Sequence, residues 1–306
     1  MPYYLGIDGG GTKTTCAVGD AKKLLATATS GPSNIVRVGP AQTRDSLHGA
    51  IRQACAAAGI TPEQVERTCV GGSGAGRPEL AQIVREILEE VVVTPIDVVG
   101  DMQIALEAAI DNGPGVVVIA GTGSIAYGRD RQGRTLRAGG WGFAIGDEGS
   151  AHWIARSAIA ALLRQSDQDE KAGESALAHG LFTTWKVNSL LDLARAANSI
   201  PPPDFAALFP AVVSSRDDIA REVLAAAGRE LAKLAAIVVC RLFPEKETDP
   251  IPIGVTGGVF RHSELVRETF YNELRRLDPR TQVNLQVVDP VEGALRMARA
   301  EALNRS

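Results

Sequence analysis

The sequence predicts an α/β fold in two domains, and three observations carry that prediction. The chain has 306 residues, more than one hydrophobic core usually serves, so two domains with a cleft between them are expected. Apolar residues alternate between strand-like and helix-like periods along its length. Finally, the glycine-rich turns Asp8-Gly9-Gly10-Gly11-Thr12-Lys13-Thr14, Gly121-Thr122-Gly123-Ser124 and Thr256-Gly257-Gly258-Val259 each follow a short apolar run. Glycines there let backbone N–H groups approach an anion without interference from Cβ. Thr, Ser and Lys add further donors, so the turns suit a polyphosphate gripped by two domains.

Element by element, residues 3–7 read as a strand and 15–18 resume as a second, which makes the first glycine turn a hairpin tip. Leu47, Ala50, Ile51, Ala54 and Ala58 recur at helical spacing, 67–70 reads as a strand, and 79–89 as a helix with Pro78 in its first turn. A strand over 96–99 ends at Gly100-Asp101 before a helix over 102–110. Asp101 therefore falls where a strand ends and a helix begins, the place where ligand-facing groups of open α/β sheets gather. The turn cluster over 111–115 marks the domain boundary. Residues 1–112 form the first domain, completed by a helix over 290–306, and 113–289 form the second, with a helical insertion.

Past the boundary, strands over 116–120, 125–127 and 134–138 flank the second glycine turn and echo the first hairpin. Helices dominate 151–243, including an amphipathic stretch over 217–242, and the triple proline at 201–203 marks a loop. A strand over 251–255 leads into the third glycine turn, followed by a helix over 264–277 capped by Ser263. The last helix follows Asp289-Pro290 and would cross back to the first domain.

Composition excludes several function classes. With 45% hydrophobic and 22% charged residues the chain is an ordinary globular protein, and a net charge of −4 with scattered cations gives no field for nucleic acid. No signal peptide and no uncharged membrane-length stretch can be read, so no membrane partner and a cytoplasmic location are expected. Cys16, Cys55, Cys69 and Cys240 are far apart and outside any CxxC pair, which points to buried small residues rather than zinc ligands or disulfides. His48, His152, His179 and His262 show no metal-ligand spacing.

The densest segment is Gly139-Gly140-Trp141-Gly142-Phe143-Ala144-Ile145-Gly146-Asp147-Glu148-Gly149-Ser150. Glycines around a Trp, followed by two carboxylates before a helix, make a backbone that can press against a polar ligand such as a sugar. The alternative is a tight hairpin exit in which Asp147 or Ser150 caps the following helix.

In order, DGGGTKT, GD at 100–101, GTGS, GGWGFAIGDEGSA, TGGV and EGA at 292–294 resemble the N-acetylglucosamine kinase branch of the BadF/BadG-type ATPases over nearly the whole chain. That group belongs to the sugar kinase, actin and Hsp70 superfamily. The resemblance implies a two-domain ribonuclease H-like actin/hexokinase-type ATPase fold with an interdomain cleft, ATP and Mg2+ as cofactors, an amino-sugar substrate and a homodimer. It implies that Gly10, Gly11, Thr12, Lys13, Gly121, Thr122 and Gly123 hold the nucleotide phosphates, that Gly257 and Gly258 line the adenosine pocket, and that Asp8 holds magnesium. Asn34, Asp101, Gly140, Trp141, Gly142 and Asp147 match positions that hold the sugar, with Asp101 as the base that receives the hydroxyl proton and Asp147 orienting hydroxyls. Glu292-Gly293-Ala294 matches the second hinge connection.

Taken alone, several of these residues have simpler readings: a turn start for Asp8, a helix cap for Asp101, a turn residue for Asn34, packed core for Trp141 and a solvated side chain for Lys13. Ile35 departs from the polar or aromatic residue of mammalian-type members, and 165–215 aligns with no motif. N-acetylglucosamine, glucosamine and N-acetylmuramic acid all present a 6-hydroxyl to Asp101. Two other functions compete. An ATPase activator of an iron-sulfur dehydratase or reductase would need paired cysteines, for which only Cys55 and Cys69 offer themselves, and a non-catalytic sugar sensor would need an output module.

Overall fold

Buried apolar strands separated by glycine turns build two sheets of identical topology in the computed structural model, which describes residues 2–72, 74, 75, 77–244 and 248–303. The chain divides into two units, Met1–Gly113 with Val288–Ser306, and Pro114–Val287.

In the first unit, β1 (Tyr3–Gly9), β2 (Thr14–Gly19), β3 (Leu24–Ser30), α1 (Ile35–Ala57), β4 (Val65–Gly72), α2 (Pro78–Glu89), β5 (Ile96–Gly100) and α3 (Asp101–Ile110) follow in order. The sheet order is β3-β2-β1-β4-β5, with β1/β2 and β2/β3 antiparallel and β1/β4 and β4/β5 parallel. Side chains alternate across it, as the strand period of two requires. Leu5, Ile7, Cys16, Val18 and Val70 face α1 and α2, and Tyr4, Ala17 and Cys69 face the opposite way.

In the second unit, β6 (Gly115–Ala120), β7 (Ser124–Arg129) and β8 (Thr135–Gly139) are followed by the helices α4 (Ala151–Ser166), α5 (Ala176–Trp185), α6 (Leu190–Ala197), α7 (Phe209–Ser214) and α8 (Asp218–Leu242). Then come β9 (Ile251–Thr256), α9 (Gly258–His262), α10 (Glu264–Leu277) and β10 (Thr281–Val287). The order β10-β9-β6-β7-β8 repeats the first sheet strand for strand, β6 standing for β1 and β9 for β4. Phe260 and Phe270 are fully buried and meet edge to face at 5.2 Å. Cutting either to Ala would cost about 3–5 kcal/mol. Gly228 lets α8 close on α10, since a Cβ there would sit 2.8 Å from the Val266 carbonyl oxygen.

The chain returns to the first unit through α11 (Pro290–Leu303), which packs with α3 on the Tyr4/Cys69 face of that sheet. Glycine makes this possible. A Cβ on Gly6 would meet Leu295 N at 2.3 Å, and one on Gly293 would meet Ile104 O at 1.9 Å, so backbone lies on backbone.

Several sequence expectations are corrected. Strands β3 and β10 and helix α9 add to the elements expected from the sequence, and α3 begins at Asp101, one residue before the expected start. Cys16, Cys55 and Cys69 are buried but Cys240 is exposed on α8. Among the described residues no helix is long and apolar enough to cross a membrane.

Candidate functional site

In the first unit the DGGGTKT turn joins β1 to β2. Asp8 pairs with Thr15 across the hairpin and with Gly71 on β4, so the carboxylate sits at the carboxyl end of the central strand. Gly10 N donates to Lys13 O at 3.0 Å and closes the turn, while Thr12 and Lys13 stand exposed. The turn is tied to the segment before α1: Ser33 N donates to Gly10 O, and Thr14 Oγ1 lies 2.7 Å from both the Gly31 carbonyl, to which it donates, and Ser33 Oγ. This knot seats Asn34 as the N-cap of α1, its Oδ1 accepting from Val36 N at 3.1 Å. Asn34 is thus a helix cap, with its acceptor oxygen engaged by the backbone.

Asp101 is the first residue of α3 at the end of β5, with Gly100 rather than Asp101 in the cap position, and its Oδ1 accepts from Met102 N at 2.9 Å. The Asp8 carboxyl is pushed up to about 7, first by burial and then by the negative charges of Asp101 and Asp289, with Lys13 pulling the other way. Three carboxylates therefore share one electrostatic neighbourhood in this unit. Asp289 was absent from the sequence-based site. Its signal was the Asp-Pro pair at a helix start, where its Oδ1 now faces Val291 N at 3.4 Å.

In the second unit the equivalent turn, Gly121 to Ser124, is knitted to the 139–150 segment. Gly121 N donates to Gly123 O at 2.9 Å, Ala151 N to Gly121 O at 2.9 Å, Gly140 N to Ser124 O at 2.9 Å, and Ser124 Oγ to Glu148 O at 2.7 Å. Asp147 is buried, in left-handed backbone at φ 62°, and accepts from the Gly142 and Ser124 backbone amides. Burial raises its pKa, the amides oppose the rise, and Glu148 adds to it. Its carboxylate also packs on Gly123, where a Cβ would come within 2.7 Å of Oδ2. Ser150, not Asp147, caps α4, accepting from Trp153 N at 3.1 Å.

Trp141 is 68% exposed, which removes the packed-core reading. Gly140 and Gly142 beside it have φ of 68° and 95°. Gly257, at φ 104°, presses on the β6 end, a Cβ there meeting Ala120 O at 2.2 Å, so the third turn abuts the second. At Gly121 and Gly258 an added Cβ would meet nothing within 4 Å. A cavity of about 590 Å³ lined by Arg216, Arg221, His262 and Glu268 lies at the far end of α9, away from those glycines.

The structure therefore brings together Asp8, Gly10, Gly11, Thr12, Lys13, Asn34 and Asp101 in one unit, and Gly121, Thr122, Gly123, Gly140, Trp141, Gly142, Asp147, Gly257 and Gly258 in the other. Cys55 and Cys69 lie on opposite faces of the first sheet and cannot share a cluster. Among the described residues no three His, Cys, Asp or Glu side chains are grouped to hold a metal by themselves.

Comparison with known proteins adds to this. The family model described as the BadF/BadG/BcrA/BcrD ATPase family matches residues 5–298. An N-acetylmuramic acid/N-acetylglucosamine kinase of Clostridium acetobutylicum is 32% identical over 98% of this chain and 99% of its own. An N-acetyl-D-glucosamine kinase of Dictyostelium discoideum is 28% identical over 96% of this chain and 97% of its own. A solved structure from Chromobacterium violaceum, described as a candidate N-acetylglucosamine kinase, has a TM-score of 0.76 at 25% identity, covering 97% of this chain and 99% of that one. The fold is also that of a ROK family glucokinase from Streptomyces griseus solved with glucose and AMPPNP, at TM-score 0.62 and 16% identity over 97% of this chain and 99% of that one.

Proposed function

The chain belongs to the BadF/BadG/BcrA/BcrD ATPase family, and we propose that it transfers the γ-phosphoryl group of ATP to the 6-hydroxyl of an amino sugar, N-acetylglucosamine first, with N-acetylmuramic acid and glucosamine as further substrates. One observation carries this reading. At Gly121 and Gly258 an added Cβ would meet nothing within 4 Å, so open space lies against the chain at the ends of β6 and β9, beside glycines that the fold itself requires. Open glycine backbone of that kind lets phosphate and ribose oxygens approach closely.

In the reaction, Asp101 accepts the proton of the sugar hydroxyl as its oxygen attacks the γ-phosphorus, the bond to the β–γ bridging oxygen breaks, and ADP leaves. Gly11 and Gly123 offer amides to the phosphates, Gly10 and Gly121 close their turns through their own N–H groups and let the phosphates approach, Thr12 and Thr122 offer hydroxyls, and Lys13 offers an ammonium. Asn34, Gly140, Trp141 and Gly142 hold the sugar, and Asp147 orients its hydroxyls while bracing the loop. A divalent cation fits the Asp8 region, whose crowded negative charge it would relieve. Magnesium is commonly held by one or two carboxylates with phosphates and water completing the shell, so Asp8 would hold it, and it would neutralise phosphate charge. A cytoplasmic homodimer is part of the same proposal.

The test is ADP release from MgATP across a panel of free hexoses with and without 2-acetamido and 3-O-lactyl groups, with the product position read by NMR. Turnover that requires an amino sugar and yields the 6-phosphate supports the reading, and no sugar-dependent turnover above background refutes it.

A further inference from the structure

Strand β8 ends in the glycine pair that opens the 139–150 segment, and Arg137, two residues earlier, reaches forward over it. Its Nη1 donates to Gly139 O at 3.0 Å and to Gly140 O at 3.1 Å, while its guanidinium carbon lies 4.4 Å from the centre of the Trp141 ring. Among the described residues these are its hydrogen-bond and ring partners. Gly139 and Gly140 are consecutive left-handed residues, at φ 76° and 68°. Glycine reaches that conformation freely but leaves it as freely, so the turn needs an outside brace to stay in one shape. Trp141, 68% exposed, has no packed pocket to orient it either. A planar fork that donates along its edge and stacks on its face supplies both restraints at once, which an ammonium cannot.

We propose that Arg137 is a positioning residue of the sugar loop: it fixes the Gly139-Gly140 turn and the Trp141 indole, and through them sets affinity for the sugar. This rests on the proposed role of Gly140, Trp141 and Gly142 in holding that substrate. Arg137 itself touches no reacting atom.

The test pairs kinetics with a measurement that needs no turnover. Arg137→Ala raises the KM for N-acetylglucosamine about ten-fold, the scale of two lost hydrogen bonds and one cation–π contact, while the KM for ATP and kcat stay within about three-fold. Methylguanidinium added to this variant restores part of the loss. Arg137→Lys, which keeps charge but not the fork, falls between. In a Trp153→Phe, Trp185→Phe background Trp141 is the sole indole, and Arg137→Ala lowers its fluorescence anisotropy. Unchanged anisotropy, or sugar and ATP KM rising together, overturns the proposal. If anisotropy drops but no variant phosphorylates any sugar, the kinase reading has failed while the brace stands.

Discussion

The β1–β2 turn of the first unit and the β6–β7 turn of the second occupy the same place in the same sheet topology, yet their glycines meet different surroundings. In the first, a Cβ on Gly11 would meet only the end of the Arg37 side chain, at 3.8 Å, and the neighbouring Thr12 and Lys13 are exposed, so the turn faces outward and carries charge. In the second, Gly123 is needed by the protein itself because the Asp147 carboxylate occupies the space a side chain would fill. The first turn is open at Gly11 but closed at Gly10, where a Cβ would lie 3.1 Å from Lys13 O. The other is open only at Gly121, and its remaining glycine is a packing requirement. A glycine motif therefore mixes residues that a ligand demands with residues that the fold demands, and only the neighbouring atoms separate them.

The largest expected effect tests where the chemistry lies. If the first unit's carboxylates do it, Asp101→Asn lowers kcat by about 10²–10⁴-fold in the ADP-release assay, while sugar binding remains measurable by calorimetry. Near-full turnover would move the base elsewhere and leave Asp101 as a first-turn carboxylate of α3 that accepts from Met102 N.

The turn comparison itself is broken or sharpened by two alanine variants. Gly123→Ala is expected to lose about 1–3 kcal/mol by overpacking on Asp147, or roughly 2–4 °C in Tm for each kcal/mol. Gly11→Ala is expected to leave Tm within about 2 °C but to weaken nucleotide binding at least about ten-fold by calorimetry, because the added methyl meets phosphate rather than protein. The reverse pattern would show that the two turns have been assigned the wrong way round.

A further effect is a pH dependence. Asp8 keeps its proton up to about pH 7 in the folded chain against an ordinary value of 3.8, so its contribution is full below pH 4 and is lost as pH rises towards 7. Urea unfolding of the first unit should therefore weaken across that window by on the order of 4 kcal/mol. Asp8→Asn should flatten the slope and stabilise the protein at pH 8 while abolishing activity. A slope unchanged by the substitution would remove Asp8 as its source.

Much of this was legible in the residues. The central strands are apolar runs buried on both faces, such as Val116 to Val118, and they declare themselves. The strands that were missed are edges: β3 and β10 alternate exposed and half-buried residues, with Leu24 and Leu25 47% and 42% exposed, and such patterns hardly differ from a loop. The one-turn helix α9 is too short for periodicity to reveal. Asp101 and Asp8 could be named from their strand-end positions and the resemblance, but Asp289 could not, because its electrostatic link to Asp8 depends on α11 returning across the sheet. Arg137 lay outside every motif, and only the path of its side chain over the glycine pair exposes it.

That returning helix has a consequence for biosynthesis. Because α11 lies backbone to backbone on β1 and α3, the ribosome must translate the entire intervening unit before the first unit's hydrophobic layer can close. A nascent chain that has emerged only through α3 holds Asp8 and Asp101 but not Asp289, with one sheet face still wet, so the acidic trio comes together late in translation.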